Sequence, residues 1–206
     1  NTGKWKGAAI RIMKILKRLL FLLACRHHIS ELIAKACSYA IFEADLGPDC
    51  LLFVQIKNDW KDIDTSSSVD IVTLDKNLPG RDQAIEFCKA WLLKQNKHGE
   101  NAIRGDYREF AECTIVLLGG TPPGQFTWKK PGACHKARFM AFGIYSLKAL
   151  AFSQQLDLLE ETVDGLKQFC AFITTIYVPL FLASSIGSSA AVNDLLLYYK
   201  LFAYSI

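Results

Sequence analysis

The sequence predicts a mixed, mostly helical α+β fold, and three observations carry that expectation. The first is Leu19-Leu20-Phe21-Leu22-Leu23-Ala24-Cys25, an uncharged run between two helix-like segments. It reads as one buried strand, although a short apolar run gives the same signal in a buried helix. The second is helical periodicity on both sides of that run. The third is the chain after residue 80, where apolar positions recur at helical intervals to the end. With 51% apolar and 21% charged residues over 206 positions, the chain has enough apolar side chains to build a core, which excludes a disordered segment.

From Lys4 to Leu20, Ala8, Ile12, Leu16 and Leu19 share one helical face with Ala9, Met13 and Leu20. Lys4, Lys6, Arg11, Lys14, Lys17 and Arg18 share the other. The net charge of +4 is concentrated here, because with Arg26 seven cations precede the first acid, Glu31. Such a helix fits the solvated outer layer of a sheet first, a nucleic-acid patch second and a membrane surface third. Arg26-His27-His28 then falls at the carboxyl end of the expected strand, where open α/β sheets gather ligands. Ile29 to Phe42 is again helical, stopped by Gly47-Pro48, and Asp49 to Trp60 is a further amphipathic piece. A loop over 61–68, the apolar piece Val69 to Leu74 and the turn Leu78-Pro79-Gly80 follow, and a domain boundary, if there is one, is expected near residues 44–65.

Helices are expected over 81–95, 106–118, 134–153, 158–182 and 193–204. Asp106 and Glu109 have the spacing of a capping box, and Gly119-Gly120 is the stop signal of the same helix. His135, Arg138 and Phe142 lie near one face of the next. The 26 uncharged residues Gln168 to Asn193 are long enough to span a bilayer. Thr174, Thr175, Pro179 and the small residues Ser184, Ser185, Gly187, Ser188 and Ser189 favour a buried helix ending near Ala183 instead.

Seven cysteines, scattered and without a C-x-x-C pair, point to a reducing compartment rather than a disulfide framework. Cys25-x-x-His28 has zinc-ligand types, but no second closely spaced pair completes a site, and a small buried Cys beside a hydrogen-bonded His is favoured. No metal ligand is assigned. No phosphate-binding loop or dinucleotide glycine fingerprint is present.

Four segments in order carry a family resemblance: Cys25-Arg26-His27-His28, Arg104-Gly105-Asp106-Tyr107-Arg108-Glu109, Leu118-Gly119-Gly120, and Pro131 to Arg138. With Asn1-Thr2-Gly3 and the basic helix, they resemble the middle of hAT-type transposases and, more closely, a family of transposon-derived animal proteins. The resemblance implies a partial RNase H-like α/β segment over 1–60, a linker over 61–80 and an all-helical insertion domain over 81–206. It also implies that the chain is an internal piece of a longer protein. Complete family members use Mg2+ or Mn2+ held by an Asp-Asp-Glu set. None of those acids matches a position here, so no catalytic residue and no cofactor is expected for this stretch.

By the same resemblance Cys25 and His28 are structural, and Arg26, His135 and Arg138 are candidates for contacts to phosphate or to the insertion, while Lys14 and Arg18 of the basic helix are further nucleic-acid-binding candidates. A salt bridge at a domain junction is the competing role for Arg26, His135 and Arg138. DNA is the expected partner, with self-association as a second and a membrane disfavoured. A nuclear location is expected, with the cytoplasm as alternative. The function expected is therefore that of a catalytically incomplete piece of a transposase-derived protein whose ancestral activity is DNA binding or strand transfer. A non-enzymatic nucleic-acid- or protein-binding helical module, or a membrane-associated helical protein, is the alternative.

Overall fold

The computed structural model describes residues 7–20, 26–43, 49–66, 69–96, 104–132, 138–183 and 190–204. Its helices are α1 (Ala8–Leu16), α2 (Arg26–Phe42), α3 (Leu51–Asp59), α4 (Arg81–Asn96), α5 (Gly105–Leu117), α6 (Arg138–Ala151), α7 (Glu160–Phe172), α8 (Val178–Ala183) and α9 (Ala190–Tyr204). A π-helical turn, Ile173–Tyr177, joins α7 to α8.

The α+β expectation is overturned: the described residues contain helices and no strand. Leu19 and Leu20 are not in a strand, Leu19 is 91% exposed, and residues 21–25 lie outside the described residues. Arg26, His27 and His28 therefore open a helix instead of ending a strand. The reason is general. A seven-residue apolar run suits either state, and a lone strand leaves its backbone N–H and C=O groups without a ladder to satisfy them. The RNase H-like α/β label on residues 1–60 falls with the strand.

One apolar core joins helices from both halves of the chain. Ala34 of α2, with Phe53 and Ile56 of α3, is buried in the same cluster as Phe110, Ile115, Phe142, Leu147, Phe169 and Val178. Helix α6 is the hub, packing on α2, α3, α5 and α7. Two glycines set the closest crossings: a Cβ on Gly143 would fall 2.4 Å from the Phe110 ring, and one on Gly165 would fall 2.5 Å from Phe42.

The extended segment 69–75 works as a strap. Val72 N–H donates to Ala151 O at the end of α6 (3.0 Å), and Leu74 N–H donates to Leu117 O at the end of α5 (2.8 Å). Two carbonyls from last helical turns, which have no partner within their own helices, are satisfied at once. Because both carboxyl ends meet one short strap, α5 and α6 run side by side in the same direction, and the chain between them must travel back. It does so over 126–132, where Lys148 Nζ donates to Lys129 O (2.7 Å) and the Tyr145 hydroxyl donates to Gly132 O. Trp128 packs edge-on against Phe126 and Phe152, each with ring centres 5.0 Å away, and Trp60 closes the row on Phe152 at 5.6 Å.

The stop after α5 is a Schellman motif. Gly120 N–H donates to Ile115 O and Gly119 N–H to Val116 O, with Gly119 at φ +73°. A Cβ on Gly120 would sit 2.9 Å from Ile115, so both glycines are required. The capping box, by contrast, does not form. Helix α5 starts at Gly105, which puts Asp106 inside the first turn, where its carboxylate takes Arg104 and Tyr107 N–H.

Glu160 to Ala183 is long and apolar enough to cross a membrane by length and composition, and most of its apolar stretch is buried inside this fold. Its π turn has a local cause. Pro179 has no N–H to return to Thr175, and the helix widens just before it, with Val178 N–H reaching back to Ile173 O. The Thr174 and Thr175 hydroxyls donate to Cys170 O and Ala171 O, both at 2.7 Å, in the turn so loosened.

Candidate nucleic-acid interface

Helix α1 forms because its apolar and cationic residues separate at helical spacing with no proline or glycine inside it. It ends at Lys17, which adopts the left-handed conformation (φ 51°) and returns its N–H to Met13 O. No residue of α1 is buried. Lys14 and Arg18, chosen from the sequence, are exposed, and so are Arg11 and Lys17. No acid occurs between residues 7 and 20, so nothing within the segment neutralises these four charges. The apolar residues Ile12, Ile15 and Leu16 of the same helix are exposed as well.

Arg26 and His28 lie in the first turn of α2. Helix amino ends carry free N–H groups and positive potential, so cations there are repelled by their own helix and gain from a bound anion. Arg138 is the first residue of α6, and α6 packs on α2. The structure thus brings the helices bearing Arg26 and Arg138 together, while Lys14 sits on α1 and Arg18 just beyond its end. Cys25 and His135 lie outside the described residues.

The motif segments after residue 100 do something that the sequence did not disclose. Lys148 is 1% exposed in the last turn of α6, and its Nζ lies 2.5 Å from Glu109 Oε1 on α5. That oxygen makes no aligned hydrogen bond, so the contact is an ion pair set by proximity. The ammonium also donates to Lys129 O and sits 5.2 Å from the Trp60 ring centre. One turn along α5, Glu112 lies 3.7 Å from Arg108. Burial pushes the Glu112 carboxyl above its ordinary range, against the opposing pull of Lys129 and Arg108. Burial likewise pushes the Cys113 thiol up to about 12. The charge-compensated Lys148–Glu109 pair is a structural clamp on the returning segment 126–132, and the buried Cys113 thiol beside it is held in its unreactive protonated form. The signal for Lys148 was present, since it is the single charge between Phe139 and Leu156.

Among the described residues no three His, Cys, Asp or Glu side chains group as a metal site. A cavity of about 230 Å³ lies between α2, α8 and α9, lined by Ser30, Ile33, Tyr177, Phe181, Asn193 and Leu197 among others. That is below the roughly 300 Å³ at which small-molecule pockets begin. Against family models, curated proteins and solved structures, the chain matches none.

Proposed function

We propose that this chain is a helical DNA-binding part of a transposon-derived protein, contributing phosphate contacts and no catalytic acid of its own. The observation that carries the reading is the exposure of Arg11, Lys14, Lys17 and Arg18 on and just beyond one helix, in a segment without a single acid. Phosphate contacts need only exposed cations at spacings that a duplex backbone can meet, and sequence is read elsewhere. The resemblance carried by the four ordered motif segments supports DNA as the nucleic acid, and Arg26 at the start of α2 adds a further cation-bearing helix end. A nuclear location follows from that reading.

The test is fluorescence anisotropy of a short labelled duplex titrated with the full chain at several salt concentrations. Four neutralised phosphates predict an affinity loss of roughly 150-fold between 50 and 200 mM salt. Absence of binding at low salt overturns the reading. So does co-sedimentation with phosphatidylserine vesicles that persists at high salt, because the exposed Ile12, Ile15 and Leu16 would then be the binding face.

A further inference from the structure

Helix α9 has two apolar faces. Its inner face, with Asn193 and Leu197, lies along α8 and the neighbouring cavity, where the Asn193 side chain donates to Leu180 O. Its outer face carries Val192, Leu195, Leu196 and Tyr199, which are 51–64% exposed. Phe202, stacked on Tyr198, extends that face at 56% exposure. The positions 192, 195, 199 and 202 alternate three and four residues apart, the seam spacing of a pair of coiled helices. Asp194 and Lys200, the charged residues of α9, lie outside the seam.

We infer that this face is a self-association surface, and that two copies of the chain pair through α9 across a two-fold axis. Three considerations select a second copy. A two-fold interface is made by one patch meeting itself, so it needs an uncharged, self-complementary surface, and the seam is one. These five side chains expose on the order of 500 Å², so two copies would bury about 1,000 Å², the lower bound for a specific interface. A bilayer is the poorer occupant, because Lys200 is the single cation of the helix and interfacial helices carry a cationic flank.

The experiment is light scattering on the full chain during size exclusion, over a dilution series, with the Leu195→Glu and Tyr199→Glu variants beside it. Both residues are exposed, and circular dichroism checks that helix content is kept. The expected result is a dimer that dissociates on dilution, with each variant weakening it by roughly 30-fold or more, as for a central interface residue. A wild-type chain that is monomeric at all concentrations overturns the inference without reference to any variant. So does a dimer that both folded variants leave intact, or a polydisperse series of larger species, which a closed two-fold seam cannot produce.

Discussion

Lys148 Nζ lies 2.5 Å from Glu109 Oε1, and this pair ties the last turn of α6 to the first half of α5 at a nearly water-free point. A charge left alone there would be uncompensated. Removing one partner, as in Glu109→Leu, is expected to cost about 3–5 kcal/mol, whereas the double variant Glu109→Leu/Lys148→Met should recover most of that loss. Urea unfolding of the two variants and the wild type reads both values.

Glu112 gives the fold a pH signature of defined sign. Its folded carboxyl titrates above the ordinary value of 4.5, so the native state holds a proton that the unfolded chain has released. Stability contributed by this group is complete below 4.5 and is lost as pH rises through the folded value. Glu112→Gln removes that slope. The difference in urea midpoint between Glu112→Gln and wild type should therefore shift in favour of the variant from pH 4 to pH 7, and a constant difference would contradict the assignment.

The α5–α6 crossing depends on a missing side chain. A Cβ at Gly143 would overlap the buried Phe110 ring at 2.4 Å, so Gly143→Ala should destabilise by about 1–3 kcal/mol through overpacking. Gly105→Ala, where nothing lies within 4 Å, is the control and should be neutral or stabilising by up to about 1 kcal/mol. Thermal melts of the two variants separate a crowding effect from a general sensitivity to glycine replacement.

Much of this architecture could be read in the sequence, because the long periodic segments announce themselves. Helices α2 to α9 lie within a few residues of the positions expected from apolar spacing, and Gly119-Gly120 and Leu78-Pro79-Gly80 mark turns as their chemistry requires. The failure came where pattern carries least information. The short run at Leu19 has no period of its own, and among the described residues there is no strand to pair with it. Asp106 and Glu109 had cap spacing, but Glu109 is drawn to Lys148, a partner 39 positions away that no local rule reveals. Of the candidate site, the cations of α1 were legible because charged side chains keep to solvent, but the exposure of its apolar residues Ile12, Ile15 and Leu16 was not. The clamp around Lys148 was not, since it depends on which segment returns along α6.

The central claim, that α1 supplies phosphate contacts, is tested most directly by the slope of log Kd against log salt for the wild type and Lys14→Ala/Arg18→Ala. Two lost contacts should flatten the slope by about 1.8 units and weaken low-salt binding, with helix content unchanged. An identical slope in the two proteins would contradict the account and place any DNA contact away from α1.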